Sequence, residues 1–522
     1  MEHPLLAELG AVVGALGCLL ALLSYDRAPS LLGVAAVAVA EVAVGASLLG
    51  TATIDRLVSP TGAVAAFAAC LLLGVGAAIL VRWPEALAPL AVALAPLRPP
   101  LDFGPEHPLF VAAARDGRLG RLIPLYTLLA CATLAFVWRL YRRGGAPPLP
   151  RALARPASLL LAFVCLSLLW AEDREAAANY LFFFALPFAT LLCIVGRTPA
   201  ALAMPRHTAW VATGLAALFA AIGIWQFATH ELFFYAPNLA LSNANTDLFR
   251  VTSLFGDPSL YARHLVLALC VILVAFALGR LRARYAWPLA ALLWIGMLFS
   301  FSQTSMVALI AAACAIAVTL GGRRLKLAAT AAALAASLLA VGYGAWQVAN
   351  GVSVNRVSSD RLGRLERTLD AAGESPLFGV GIASQPRVSK RLAHSDRPTA
   401  SFAAHTAPAA VIAELGALGF ALFAWACVGV WRTLAELRRF HEPLAVGLGA
   451  CLIALFVHAL GYSNLLEDPL TWVLPALAAS WLARPDPESR WRARQRARSG
   501  EPAARGAKTR QLSALPTAEA AR

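Results

Sequence analysis

Apolar stretches of roughly twenty residues, broken by short polar segments, run along most of the chain. A helix needs about that length to cross the hydrocarbon core of a bilayer. The pattern predicts spans over about 5–25, 30–53, 60–81, 122–141, 157–171, 177–196, 208–228, 259–279, 286–302, 304–321, 326–346, 407–431, 444–462 and 468–483, about fourteen in all. The stretch 84–97 is apolar but short and carries several prolines, so it reads as interfacial or re-entrant; if it spans, the first three helices invert. The first run lacks a basic leader and is followed at once by further spans, so it is not a removable signal peptide. The expected fold is an all-α, polytopic integral membrane protein.

The breaks alternate in charge. Arg142, Arg143, Arg151 and Arg155 share one break, Arg197 and Arg206 the next of their kind, then Arg280, Arg282 and Arg284, then Arg323, Arg324 and Lys326, then Arg432, Arg438 and Arg439. Between them lie neutral or acidic breaks at 172–175, 302–304 and 463–468. Basic short loops stay in the cytoplasm, which places both termini there. The tail 484–522 holds ten Arg and Lys against four Asp and Glu and reads as a disordered, basic cytoplasmic tail able to touch anionic membrane lipid.

Two segments interrupt the rhythm on the outward side. One is 229–258. The other, 347–405, is a large external loop with eight basic and five acidic residues. A net positive outward loop runs against the usual bias, and an anion site is the functional reading. Long loops partly escape that bias, which is the bland one.

Composition sharpens the class. Hydrophobic residues are 59% and charged residues 14% of the 522, against about 45–50% and 25% in soluble domains. That excludes a soluble fold and a disordered chain. The net charge of +15 follows from the loops and tail, so nucleic acid is not an expected partner. All nine cysteines sit inside apolar runs and read as small core hydrophobes rather than disulfides or metal ligands.

The polar residues near the outward breaks carry the candidate chemistry. Arg250 precedes a turn at Gly256-Asp257-Pro258, and Asp-Pro is a good helix start. Arg263 and His264 follow in the first turns of that span. A single arginine there can snorkel, but ionisable groups within spans are functional candidates by default. Ser300–Ser305, SFSQTS, is a polar turn holding Ser302 and Gln303; a hydroxyl-rich cap explains it equally. His405 stands at the entry of another span. Glu414 lies nine residues on, so helical geometry points the two apart. Gly416 and Gly419 would share a face and permit close helix packing.

In this order the pieces resemble the O-antigen ligase and O-antigen polymerase family of bacterial membrane glycosyltransferases. Arg250…Phe255-Gly256-Asp257-Pro258-Ser259…Ala262 resembles the family's Arg-x-x-x-x-Phe-x-Asn-Pro-Asn-x-x-Ala run. Pro376-Leu377-Phe378-Gly379-Val380-Gly381 resembles its Pro-Leu-Phe-Gly-Val-Gly run. His405 with Glu414-Leu415-Gly416 and Gly419 resembles its His-Asn…Glu-x-Gly-x-x-Gly run, and Trp170-Ala171 before Asp173 its Trp-Ser-x-Asp step. The resemblance covers about 155–483; the expected division is 1–150 as N-terminal helices of unclear role, 151–483 as the ligase-like membrane domain, and 484–522 as the tail. The chain has Gln303 where the family has the Arg of a Ser-Arg pair, and Thr406 where it has Asn.

The resemblance implies an enzyme that moves a glycan from an undecaprenyl-pyrophosphate-linked donor to a hydroxyl on an acceptor glycan, lipid or protein. The reaction is expected at the outer face of the cytoplasmic (inner) membrane, inverting, without metal or other cofactor. It implies His405 as catalytic base and Arg250 on the donor pyrophosphate, where guanidinium geometry and permanent charge fit. Arg263 or an arginine of 347–405 would supply a second cation, with His264, Ser302, Gln303 and Glu414 in support. The alternatives are a polytopic transporter of an anion or lipid-linked sugar, and an inactive relative with a scaffolding role. A carrier should show repeat symmetry and broken helices at midplane; the sequence shows no repeat, and its polar clusters gather at the outer interface.

Overall fold

The computed structural model describes residues 3–49, 58–102, 121–234, 237–244, 248–328, 345–351, 361–394 and 404–484, with a few isolated positions between. In chain order its helices are α1 (Pro4–Leu23), α2 (Arg27–Leu48), α3 (Pro60–Arg82), α4 (Leu87–Leu94), α5 (Ile123–Arg143), α6 (Arg151–Leu166), α7 (Arg174–Tyr180) and α8 (Leu186–Gly196). Then come α9 (Met204–Thr229), α10 (Pro237–Ala244), α11 (Pro258–Ala277), α12 (Ala283–Leu298), α13 (Gln303–Leu320), α14 (Arg361–Glu374) and α15 (Gln385–Leu392). The last are α16 (Ala407–Phe440), α17 (Glu442–Ala459) and α18 (Pro469–Leu482). Leu101–Asp102 and Ala112–Ala113 pair as a two-residue antiparallel ladder.

This is an all-α multi-pass membrane protein. Among the described residues eleven helical stretches are long and apolar enough to cross a bilayer, and α12 and α18 are shorter apolar helices. Together they account for thirteen of the fourteen expected spans. The expected span 326–346 falls largely outside the described residues, as do parts of the 347–405 loop and the tail 485–522.

The bundle has two distinct ends. Arg142, Arg197, Arg206, Arg280, Arg323 and Arg438 mark the basic end. The other end gathers the starts of α7, α11, α13, α16 and α18. Two contacts fix the direction of α1. Arg174, at the start of α7, pairs with Glu8 at 2.9 Å, and Arg197, past the end of α8, donates to the carbonyl oxygens of Leu22 and Ser24. The chain therefore enters α1 at the end opposite the basic loops.

That direction corrects the expected course of 84–97. Pro84–Ala88 lie beside Thr198, Met204 and Ser480 at the basic end. Arg98 lies within electrostatic reach of Asp468 and Arg263, near the other end. The segment crosses the bundle, although α4 has only eight residues. The first three helices are inverted relative to the re-entrant reading, and α1 begins and α18 finishes at opposite ends of the bundle.

Tight packing between α1 and α2 follows from small residues. A Cβ on Gly17 would collide with Val37 and one on Gly33 with the Ala21 backbone, as expected where lipid gives no hydrophobic drive and association rests on close contact. The cysteines are free among the described residues, and no described His, Cys, Asp and Glu cluster suits a metal.

Candidate active site

The end opposite the basic loops contains a break in α16 that the sequence pattern does not announce. Gly416 has φ 65 and ψ −169, a conformation essentially confined to glycine. The broken helix cannot satisfy its own backbone there, and the 375–384 loop does so instead. Ala417 N donates to Pro376 O (2.8 Å) and Leu418 N to Leu377 O (3.2 Å), while Val380 N donates to Ala413 O (3.0 Å) and Gly381 N to Glu414 O (2.9 Å). Gly379 and Gly381 are also left-handed, and a Cβ would strike Glu414 or Ala171.

The Trp170–Asp173 step closes the same knot. Glu172 N donates to Val380 O at 3.2 Å, Asp173 N to Ser384 Oγ at 3.0 Å, and Trp170 meets Phe378 edge-on at 6.1 Å. Three separated motifs thus form one object. Gly416 serves the break, which corrects its expected role on a helix-packing face; Gly419, close to Phe163, keeps that role. Glu414 faces the backbone N–H groups of Ala383 and Gln385, so it holds the knot.

Arg250 is positioned by two amides. Asn243 accepts from Arg250 N and donates to Arg250 O, both at 3.1 Å. Gln226, buried in α9, accepts from Thr252 N and Ser253 N at 3.2 and 2.7 Å and donates to Ser253 O at 3.1 Å. Arg250 Nε donates to Ser300 O at 3.1 Å. Its two terminal nitrogens bond no other described residue. Burial lowers the proton affinity of the guanidinium, and Asp257 works against that. Asp257 caps α11 through Ser259 N and Leu260 N, at 2.7 and 3.1 Å.

The polar turn beside Arg250 is a cap, as the structural reading of SFSQTS has it. Ser302 caps α13 and shares a hydroxyl contact of 2.9 Å with Ser305. Gln303 is the exposed first residue of α13. Against this turn sit Gly461 and Arg361: a Cβ on Gly461 would collide with Thr304 and lie 3.6 Å from Arg361 Nη1.

His405 stands just before α16. Arg364 Nη1 contacts its Nε2, and its ring lies 6.3 Å from that of Tyr462, which is 5.5 Å from His458. Thr406 Oγ1 donates to Leu460 O at 3.2 Å. The Tyr462 hydroxyl faces Asp257, and burial raises its proton affinity. Tyr462 therefore links the His405 side of the site to the Asp257 side.

Arg263 behaves differently from Arg250. It forms a buried ion pair with Asp468, which also caps α18 through Leu470 N at 2.7 Å. His264 turns away, with Nδ1 at 2.8 Å from Leu260 O and its ring 4.7 Å from that of Phe255. Arg98, at the far end of the crossing 84–98 segment, lies within electrostatic reach of Asp468, Arg263 and Tyr462.

The sequence pattern passed over Gln226, Asn243, Asp468 and Tyr462. Gln226 left a signal, an amide inside an apolar span. Tyr462 left none, because an aromatic at a span end is ordinary.

Residues 288–424 match the family model described as O-antigen ligase. This segment is similar to the O-antigen ligase family. The match runs from α12 to the middle of α16, so it includes Ser302, Gln303, His405, Glu414 and the glycine break and leaves Arg250, Arg263 and His264 outside. No curated protein matches the chain. The match supports an O-antigen ligase- or polymerase-like function in general, with a lipid-linked glycan and an acceptor as the kind of partners it implies.

Proposed function

We propose that the chain transfers a glycan from an undecaprenyl-pyrophosphate-linked donor to an acceptor hydroxyl at the outer face of the cytoplasmic membrane, as a ligase or a polymerase. The observation that carries this is the convergence at one bundle end of His405 and the half-buried Arg250, whose terminal nitrogens bond no other described residue. The basic loops crowd the opposite end, as a cytoplasmic face would.

In this reading His405 takes the proton of the acceptor hydroxyl, whose oxygen attacks the anomeric carbon. The bond from that carbon to the pyrophosphate oxygen breaks with inversion, and the lipid pyrophosphate leaves as an anion. Arg250 offers a planar fork for that anion and stabilises the charge that develops on it. Burial from water strengthens such an interaction. The apolar groove of about 1040 Å³ between α9, α11, α12, α17 and α18 would take the polyprenyl chain, with His264 at its end nearest the site. Glu414 and Gln226 act indirectly, by holding the knot and the Arg250 loop. The proton and the charge are both handled by side chains, so no metal is needed.

The test compares a gene deletion with complementation by wild type and by His405→Ala. Surface glycan and undecaprenyl-linked intermediates are measured together, with and without EDTA. The expected result is that deletion and variant both lose the glycan and accumulate lipid-linked precursor, while EDTA changes nothing. Long precursor chains indicate a ligase, single units a polymerase. Full complementation by His405→Ala would remove the imidazole from the mechanism.

A further inference from the structure

The end of α17 touches three walls of the site, and the transfer step as written above gives it no part. Its last turn is tightened by bonds to the residue three back, Leu460 N to Val457 O and Gly461 N to His458 O, both at 3.2 Å. That turn sets three consecutive residues against three different partners. Leu460 O accepts from Thr406 Oγ1 at 3.2 Å, beside His405. Gly461 lies so close to Thr304 that a Cβ would collide with it, which seats the 300–305 turn, whose Ser300 carbonyl holds Arg250 Nε. Tyr462 turns its ring to His405, 6.3 Å between centroids, and its hydroxyl to Asp257.

Asp257 uses Oδ1 to cap α11, at 2.7 and 3.1 Å from Ser259 N and Leu260 N, and its charge also acts on Arg250. A phenol that donates to a carboxylate makes a charge-assisted hydrogen bond. From below, His458 is fully buried, lies 5.5 Å from the Tyr462 ring and faces the backbone of Ser259. The Tyr462 ring is thus held by two imidazoles, and its hydroxyl reaches the start of α11, where the Arg250 loop ends. A rigid side chain fixed at both ends is a strut.

We propose that Tyr462 is a positioning residue for the transfer, holding the His405 imidazole at the separation from Asp257, and through it from Arg250, that the attack needs. This rests on the transfer reading above and adds to it a residue outside the 288–424 match. With inversion, the acceptor oxygen approaches the anomeric carbon on one side and the pyrophosphate oxygen departs on the other. Base and cation therefore need a set spacing, and they come from segments remote in the chain. Tyr462 itself neither takes the proton nor meets the pyrophosphate, so donor affinity does not depend on it.

The test uses the full chain in phosphatidylcholine nanodiscs. The donor is the lipid-linked precursor extracted from the deletion strain, and membranes of that strain supply the acceptor. Tyr462→Phe keeps the ring and loses the bond to Asp257. Its kcat is expected to fall about tenfold with the donor KM within about twofold of wild type, and Tyr462→Leu, which also removes the ring, to lose about 10²-fold, the cost of a small misplacement. A fall in kcat without a change in KM marks an interaction that matters in the transition state. A merely structural role would lower the thermal midpoint and yield and leave kcat per folded molecule in place.

Asp257→Asn keeps an oxygen for the cap and loses the charge. The double variant Tyr462→Phe/Asp257→Asn is expected to be no slower than Asp257→Asn alone, because both changes break one link. If Tyr462→Leu does not fold, the isosteric Tyr462→Phe and this cycle carry the test. Losses that multiply in the double variant overturn the strut. So does a Tyr462→Phe enzyme with kcat within about twofold of wild type, or one whose donor KM rises while kcat holds. All three leave the transfer reading standing, whereas a wild type that transfers nothing from the precursor overturns that reading as well.

Discussion

Arg197 at the basic end and Arg250 at the opposite end are both drawn into the protein, and their surroundings differ in kind. The Arg197 guanidinium reaches the carbonyl oxygens of Leu22 and Ser24, where α1 ends, and lies 3.4 Å from Ser30 Oγ. It substitutes for the next turn of a helix. Arg250 is held by its own backbone and by Nε, leaving the terminal nitrogens unengaged by described residues. An arginine whose donors are consumed by carbonyls is part of the structure. One held by its stem, with its fork unengaged, is suited to bind something. Arg263, locked to Asp468, belongs with the first kind on geometry, which makes Arg250 the stronger candidate of the two for the proposed donor contact.

The contrast breaks most visibly by substitution. Arg250→Ala is expected to lower transfer by about 10²–10³-fold, the usual cost of removing one stabiliser of developing charge, with the protein still present in the membrane. Arg197→Ala is expected to do the reverse. Carbonyls left without donors cost about 1–3 kcal/mol, so the thermal midpoint and yield fall while activity per folded molecule stays near wild type. Transfer assays normalised to folded protein separate the two, and equal losses of specific activity would erase the distinction.

A second substitution tests whether the knot is structural support for the site. Gly416→Ala places a side chain at φ 65, ψ −169, in contact with Leu377 and Gly379. The backbone term alone costs about 1–3 kcal/mol. Thermal stability should fall, and activity should fall further than stability explains, because Glu414 and the 375–384 loop shift together. A variant with unchanged midpoint would show that the break tolerates a side chain.

The smallest effect concerns pH. Burial, with Asp468 beside it, raises the Glu467 carboxyl from 4.5 to about 7. The unfolded chain ionises this group near 4.5 while the folded protein resists until about 7. Its contribution to stability is therefore complete below about 4.5, is lost between 4.5 and 7, and is constant above. Thermal midpoints of Glu467→Gln at pH 5, 6, 7 and 8 should lack that decline. An unchanged slope would assign it to another group.

Several features were legible in the linear pattern. Apolar run length gave the spans, since crossing a bilayer imposes a length, and Asp257-Pro258 gave the start of α11. The segment 84–97 was misread because a short apolar stretch carrying prolines looks unable to cross. Only the neighbours at the two ends of the segment, Ser480 beside Pro84 and Asp468 within reach of Arg98, show that it does. The pairing of Arg263 with Asp468 was illegible for another reason. The two lie some two hundred positions apart, and a span-end arginine looks the same whether it snorkels, pairs or binds a ligand.

The sequence by itself determined the class of the protein, most of its sites of bilayer crossing, the basic and neutral ends, and the residue types fit for phosphate and proton transfer. Each of these depends on local composition, which a chain carries wherever it folds. The tertiary structure decided which arginines are spent and which are open, that α14 brings Arg361 and Arg364 to the turn and the imidazole, and that a glycine break in α16 is completed by carbonyls and amides from a distant loop. Those outcomes depend on which unsatisfied backbone and side-chain groups meet across the bundle, and that is set by packing between segments remote in the chain.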